Sequence, residues 1–567
     1  LLSAAQRHQL LHEWSSGAVA GKQVCLHRQI ALRARRTPGA PAVVRGTEVL
    51  SYGELDRRAE RLSRRLRGRG VGPADVVAVA LPRSPELVVA LLAVWKAGAA
   101  YLPLEPGTPP RRRQLLLADA GVRLVLDGEL DGDGNADLPA PDPDRTAYVL
   151  FTPGSPGRPK GVAVSHRALA SSVGWAVRAY GLGPGGSSAV HTSLGFDLTV
   201  TSLWGPLASG GRAVLLPEED GVEALADWLA AAGADDLVKL TPSHLEALEV
   251  ELADRPAAGA GVWVVGGETW PPESLRRWRR RLPAARFFNE YGPTEATVGC
   301  AVWEAGEPAA ASVPIGRPAA GADLHVLGEV PPGSWGELAI GGPGLARAYL
   351  GRPALTAASF VPHPCGDPGE RLYRTGDLAR QLADGRFELA GRRDHQVKLR
   401  GYRLELGEIE AALAAHPAVR RAVAVVHGRR LAAAVAAAET VTAGGLVDFL
   451  RQRLPSYMIP AVFAIRDGLP LSAHGKVDRE AVAGDISRSG ESDRYLPPRG
   501  PAEQILARIW AHLLGHDRVG ADEDFFELGG DSILSIQVVA RARREGLSLQ
   551  ARDLFQHPTV AELALAA

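Results

Sequence analysis

From about residue 25 to residue 390, apolar runs of strand length alternate with amphipathic stretches of helical period, and this alternation is the strongest constraint on the fold. The strand-like runs are Pro41–Val44, Val76–Leu81, Ala147–Phe151, Ala213–Leu216 and Val262–Val265, and Tyr52–Leu66 and Pro85–Lys96 are helical. Strands and helices in alternation predict a large α/β unit. The segment from Arg400 to Ala483 repeats the pattern on a smaller scale, with helical Leu406–Ala414, an apolar strand Val419–Val426 and helical Val447–Leu454, and predicts a compact α+β unit. The stretch from Gly484 to Pro501 is dense in Gly, Ser, Pro and charge and has too little apolar surface to bury, so it reads as a linker.

After the linker, Ile505, Leu506, Ile509, Trp510 and Leu513 share one helical face, opened by Pro501 and followed by Gly515. Thr559 and Glu562 have capping-box spacing ahead of a short last helix, so the final residues predict a small all-α bundle of four helices. The expected units are an inter-domain linker over 1–24, a large α/β subdomain over 25–393, a small α+β subdomain over 394–483, a linker over 484–499 and the helical domain over 500–567. Sixty-four basic residues balance 64 acidic ones, which argues against nucleic acid or an anionic membrane as the main partner. The three cysteines, Cys25, Cys300 and Cys365, are too far apart for a disulfide framework or a CxxC metal site, and a reducing cytoplasm is expected. No apolar stretch approaches the ~20 residues that span a bilayer, and the start lacks a signal-peptide layout. The chain does not begin with Met, and a piece of a longer polypeptide is expected.

The first chemical signal is Phe151-Thr-Pro-Gly-Ser-Pro-Gly-Arg-Pro-Lys-Gly161, a glycine- and hydroxyl-containing loop with a lysine directly after an apolar strand. Backbone N–H groups in such a loop can wrap anionic oxygens, although the spacing does not satisfy the P-loop pattern. Asn289-Glu-Tyr-Gly-Pro-Thr-Glu295, Tyr373-Arg-Thr-Gly-Asp377, the run Gly391 to Gly401 and His474-Gly-Lys-Val-Asp-Arg479 follow in order. Together with Leu50–Leu55, Trp95–Leu104, Phe196–Thr199, Gly336–Gly342 and Leu454–Pro460, the set resembles the adenylate-forming superfamily, and within it the adenylation domains of nonribosomal peptide synthetases. In the helical tail, Asp522-Glu-Asp-Phe-Phe-Glu-Leu-Gly-Gly-Asp-Ser-Ile533 resembles a peptidyl carrier protein. Read from its residues alone, Ser532 is a helix N-cap.

The resemblance implies an ATP-dependent ligase: an amino-acid carboxylate attacks the α-phosphate of ATP, pyrophosphate leaves, and the aminoacyl group passes to 4′-phosphopantetheine on Ser532. It implies Lys476 bridging α-phosphate and carboxylate, Glu295 holding Mg²⁺, and Asp394 as the hinge about which the small subdomain rotates so that Lys398 and Gly401 serve the thioester-forming state. Nucleotide contacts are implied for Thr152, Ser155, Gly157, Lys160, Gly267, Asn289, Tyr291, Gly292, Thr294, Asp377 and Arg392, with Tyr291 stacking on adenine and Asp377 accepting the ribose hydroxyls. The phosphate loop departs from the family pattern at Pro153 and Pro156, where proline supplies neither hydroxyl nor N–H. Weaker ATP use is expected, and Pro156→Thr should then alter ATP–pyrophosphate exchange kinetics; unchanged kinetics would refute it.

The family's selectivity positions carry over to Asp197, Leu198, Thr201, Lys239, Val264, Gly266, Glu290, Val298, Gly299 and Lys476. An acid at Asp197 suits a substrate ammonium, while Gly266 and Gly299 leave room between low apolar walls. Lys239 and Glu290 offer one donor cation and one acceptor anion to the side chain, a match for the carboxamide of asparagine and a poor one for aspartate. A structural Lys239–Glu290 ion pair under a different substrate is the competing reading of the same residues. Aspartate, a β-substituted asparagine, a coenzyme A ligase and a degenerate scaffold are the remaining alternatives. The resemblance also implies neighbouring condensation and epimerisation domains, a phosphopantetheinyl transferase and a small accessory activator protein as partners.

Overall fold

The structure is a computed structural model. It describes residues 8–9, 13–17, 24–128, 136–154, 158–218, 221–253, 255, 259–306, 312–328, 331, 333–394, 396–399, 402–427, 430–437, 441–470, 478–479, 481–484, 496–514, 516–525, 528, 530 and 532–567, without the side chains of 427, 532, 533, 536, 540, 551, 552 and 555. The expected large α/β subdomain contains three sheets. The nine-stranded sheet runs from Arg317–Pro318 through Ala301–Glu304, Arg286–Tyr291, Val262–Gly266, Leu237–Leu240, Ser187–Val190, Arg212–Leu215 and Pro41–Arg45 to Glu48–Ser51. Its five central strands are parallel, so their C-terminal ends open on one edge, where open α/β sheets place their ligands. A six-stranded sheet carries Thr146–Thr152 and Lys160–Ser165, the two strands that flank the phosphate loop. A five-stranded antiparallel sheet, with Arg371–Gln381 paired to Phe387–Arg392, ends at the expected hinge.

Local chemistry sets several boundaries. The helix Pro85–Lys96 begins where the Ser84 hydroxyl accepts from the Leu87 N–H and Pro85 takes the first turn. The helix His166–Tyr180 begins on the Ser165 cap and stops at Gly181, whose φ of 74° is the left-handed conformation glycine adopts without a Cβ penalty. The helix expected over Val447–Leu454 lies at Ala443–Arg451 instead. Thr442 caps the Gly445 N–H and starts it earlier, and Pro455 keeps Leu454 out of helical geometry.

The small subdomain pairs Gln396–Leu399 with Tyr402–Glu405 and packs Leu406–Ala414 and Ala443–Arg451 on a three-stranded sheet. Beyond the linker, helices Gly500–Leu514, Ser532–Arg544, Ala551–Gln556 and Val560–Ala566 enclose a core that includes Trp510, Phe525, Val538 and Leu563. Thr559 and Glu562 form the capping box their spacing predicts. The helix begins at Ser532 itself, so this serine is its first residue, and the cap position falls on Asp531, outside the described residues. Val539 is buried with Leu534 and Val538; the side chains of Ile533 and Ile536 lie outside the described residues.

Candidate functional site

Strand alternation gathers the expected selectivity residues. Lys239 sits beside Val264, and Val264 beside Phe288, in register across three parallel strands; two residues on, Gly266 lies beside Glu290. A period of two puts Lys239, Val264, Gly266 and Glu290 on one face of the sheet, which the helix His166–Tyr180 covers with Trp175 and Tyr180. Asn289 falls on the opposite face, where its Nδ2 donates to the Pro314 carbonyl at 2.8 Å.

On the covered face, Lys239 is 1% exposed and forms an ion pair with Glu290 Oε1, while its Nζ donates to Thr201 Oγ1 at 3.0 Å. The Tyr180 hydroxyl donates to the other oxygen, Glu290 Oε2. Lys239 and Glu290 are therefore paired with each other, which corrects the picture of two separate groups awaiting a substrate. The glycines are corrected too: a Cβ on Gly299 would lie 2.5 Å from Glu290 Cδ, and one on Gly266 would lie 2.6 Å from the Glu290 carbonyl, so the room they leave is taken by Glu290. Thr297 and Val298 hold positive φ, at 56° and 74°, a strained state for β-branched residues. Ser172 Oγ donates to the Thr297 carbonyl at 2.8 Å and Thr297 Oγ1 donates to the Gly344 carbonyl at 2.6 Å, which fixes that backbone.

Asp197 precedes the buried helix Leu198–Ser209, on which Leu198 is buried and Thr201 meets Lys239. Among the described residues it forms no ion pair; burial lifts its carboxyl above the usual range, opposed by a hydrogen bond from Thr294 and by the charge of Lys239. Gly267, at φ 84°, ends the strand beneath Thr241 and Phe196.

A second cluster centres on Glu295, which is fully buried. Lys160 Nζ lies 3.1 Å from Oε1, and the Tyr349 hydroxyl donates to the same oxygen at 2.8 Å. Arg403 Nη1, from the small subdomain, donates to Oε2 at 2.8 Å. Burial alone would raise this carboxyl, but Arg403 and Lys160 overcome it and hold Glu295 far below the usual range. Burial lowers Lys160, against the pull of Glu295. A hard carboxylate donor of this kind fits Mg²⁺, yet Lys160 lies beside one oxygen and Arg403 on the other, and their positive charge opposes a metal ion at either. A buried ion pair at 2.7 Å, Arg112 Nη1 to Glu408 Oε1, closes the same interface.

A third cluster joins Asp377 to the Tyr291 hydroxyl and to Arg392, whose Nε and Nη2 also clasp Asp394 at 2.7 and 2.8 Å. The expected hinge residue is thus tied, through Arg392, to the residue expected to hold the ribose. Lys398 Nζ lies 5.4 Å from the centre of the Tyr291 ring. Gly292 allows the close approach of the Val298 carbonyl, which a Cβ would meet at 1.8 Å. Thr152 is buried at the end of its strand, and Thr294 opens a short 3₁₀ turn carrying Glu295. Ser155, Pro156, Gly157, Gly401 and Lys476 lie outside the described residues.

The helix Ser532–Arg544 rests on the helices Gly221–Ala231 and Pro242–Glu251 of the large subdomain. Arg543 pairs with Glu223 at 2.7 Å, and Arg544 donates to the Val250 carbonyl. A serine at the first position of a helix fits a phosphodiester, whose charge the helix N-terminus favours. Sequence reasoning missed Tyr180, Tyr349, Arg403 and the Arg112–Glu408 pair. Arg403 was within reach of the alternation after Gly401; Tyr180 and Tyr349 carry no local signal. Among the described residues Cys25, His27 and His166 bring potential metal donors within 4.8 Å. Cys25 caps one helix and the two histidines lie in first turns, where the positive dipole ends oppose a cation.

The family model for AMP-binding enzymes matches residues 30–138 and 127–350, and its C-terminal domain matches 408–476. The chain belongs to the AMP-binding enzyme family. Behind this enzyme unit, the phosphopantetheine attachment site model matches 504–566. Bacitracin synthase 3 of Bacillus licheniformis is 38% identical over 597 residues, covering 100% of this chain and 9% of that protein. Phosphinothricin tripeptide synthetase PhsB of Streptomyces viridochromogenes is 42% identical over 587 residues, covering 95% of this chain and 48% of its own length. The chain thus spans less than half the length of these curated relatives. Among solved structures, holo-PA1221, a nonribosomal peptide synthetase protein with adenylation and PCP domains bound to a vinylsulfonamide inhibitor, superposes with a TM-score of 0.82 at 28% identity, covering 96% of each chain. This AMP-binding enzyme therefore has the large subdomain, small subdomain and carrier domain of an adenylation–carrier didomain. No described helix is long and apolar enough to cross a membrane.

Proposed function

We propose that the chain activates L-asparagine as its adenylate and loads it onto its own carrier domain as part of a nonribosomal peptide synthetase. The observation that carries this reading is the hydrogen-bonding capacity left on the Lys239–Glu290 pair. The ammonium has three protons, two of them given to Glu290 and Thr201, so one remains. Glu290 accepts once on each oxygen, from Lys239 and from Tyr180, so one lone-pair direction remains on each. An asparagine carboxamide offers one accepting oxygen and two N–H donors, which matches that remainder. Aspartate offers acceptors alone and would set one against Glu290.

In the first half-reaction, the substrate carboxylate oxygen forms a bond to the α-phosphorus as the bond to pyrophosphate breaks. Asp197 holds the substrate ammonium, Lys476 and Lys160 place positive charge along the phosphates, and Asp377 orients the ribose. Glu295 would hold Mg²⁺ once Arg403 withdraws about the Asp394 hinge. When bound, Mg²⁺ supplies charge to the phosphate oxygens, and phosphopantetheine on Ser532 supplies the thiol that accepts the aminoacyl group as AMP leaves. In the pose described, Lys398 and Arg403 face the nucleotide region, which supports assigning it to the second half-reaction. Neighbouring condensation and epimerisation domains, a phosphopantetheinyl transferase and an accessory activator remain part of the proposal.

ATP–pyrophosphate exchange against all twenty amino acids, with asparagine and aspartate at matched concentrations, tests the reading. Asparagine should dominate, and dominance of aspartate would overturn the pocket argument. Asp197 gives a second expectation. Because burial raises its carboxyl, the ionised form that pairs with ammonium is complete above the raised value and is lost as pH falls through it. The KM for the amino acid should rise on acidification at a higher pH than an ordinary aspartate would dictate. An Asp197→Asn enzyme should bind weakly with a flat profile; an identical profile in both would dismiss Asp197 as the ammonium partner.

A further inference from the structure

The pocket has a member outside the family's selectivity positions. Tyr180 is 1% exposed, and it is the last residue of its helix because Gly181 ends the helix there. Its ring packs edge-on against Trp175 and Phe288, with centroids 5.5 and 5.0 Å away, which leaves the hydroxyl directed at Glu290 Oε2. Phe288 precedes Glu290 by two residues on the same strand face, so the ring that locates Tyr180 belongs to the element that carries Glu290. The ring contacts and the hydrogen bond therefore fix the two side chains relative to each other.

We infer that Tyr180 is a positioning residue for side-chain selection, its hydroxyl setting the orientation of Glu290 and keeping it an acceptor toward the substrate. The inference rests on the proposed asparagine pocket and deepens it. Lys239 reaches only Oε1, so a carboxylate held by the lysine alone could rotate about its last torsion. The Tyr180 hydroxyl closes off that rotation and gives the buried anion a second donor. With Lys239 on Oε1 and Tyr180 on Oε2, the lone pairs left on Glu290 keep a fixed direction, able to accept from the N–H groups of an asparagine carboxamide and set against acceptors alone on aspartate. Tyr180 thus favours asparagine by fixing the orientation in which the acceptors of Glu290 face the side chain and repel its closest competitor.

Tyr180→Phe keeps the ring contacts and removes the hydroxyl alone, and Trp175→Phe disturbs the same packing without touching the hydrogen bond. Exchange kinetics with asparagine and aspartate are measured for the wild type and both variants, with thermal melting as a folding check. Loss of a hydrogen bond to a charged group predicts that Tyr180→Phe raises the asparagine KM about tenfold, with kcat and the ATP KM little changed. The aspartate-to-asparagine ratio of kcat/KM should rise by about the same factor, while Trp175→Phe leaves that ratio unchanged. An unchanged ratio in Tyr180→Phe overturns the inference, and so does an equal change in both variants, which would assign the effect to packing. A wild-type enzyme that does not select asparagine overturns the pocket reading and the inference with it, an outcome visible before either variant is compared.

Discussion

Lys239→Met is expected to destabilise the large subdomain by about 3–5 kcal/mol, because it leaves the buried Glu290 carboxylate without its cation. The cost lies in the unpaired charge. The double replacement Lys239→Met with Glu290→Leu should therefore return most of that stability, leaving a deficit within about 2 kcal/mol from the orphaned Tyr180 and Thr201 hydroxyls. Neither protein should select asparagine. Thermal unfolding of the wild type and both variants checks the order, and a single variant as stable as the wild type would show that the pair is not buried as described. The chain has several domains, so the transition compared must be that of the large subdomain.

Ser532→Ala is expected to abolish covalent capture of the amino acid by the carrier domain while ATP–pyrophosphate exchange continues at the wild-type rate. The two halves separate because the groups proposed to surround the substrate and nucleotide lie in the two adenylation subdomains, whereas Ser532 opens a helix of the carrier domain that rests on the helices Gly221–Ala231 and Pro242–Glu251. Intact-mass measurement after treatment with a phosphopantetheinyl transferase and coenzyme A, then with ATP and amino acid, reads both steps. A retained mass shift in the alanine protein would place the attachment elsewhere. Loss of exchange as well would mean that the carrier is needed for the first half-reaction.

The pose of the small subdomain bears on both experiments. Arg403 occupies Glu295, and Arg112 holds Glu408 across the same interface. Each pair joins residues far apart in the chain, 108 and 296 positions respectively. Such contacts make the pose a discrete packed state.

The sequence by itself determined the elements whose signals are local. Pro85–Lys96 and Leu406–Ala414 lie where their periodicity predicts, and the capping box at Thr559 forms as spelled, because caps, prolines and apolar period act within a few residues. Strand alternation also determined that Lys239, Val264, Gly266 and Glu290 would share a face once their strands were aligned. Only the tertiary structure decided what those side chains do to one another. Whether Lys239 and Glu290 stand apart or close into a pair depends on a register between separate strands and on the space that Gly266 and Gly299 leave. The arrival of Tyr180 on Glu290 depends on where a helix 110 residues earlier comes to its end. Local propensity contains no term for a carboxylate's partner across such a separation; burial decides it, since an anion withdrawn from water must find donors wherever the fold supplies them.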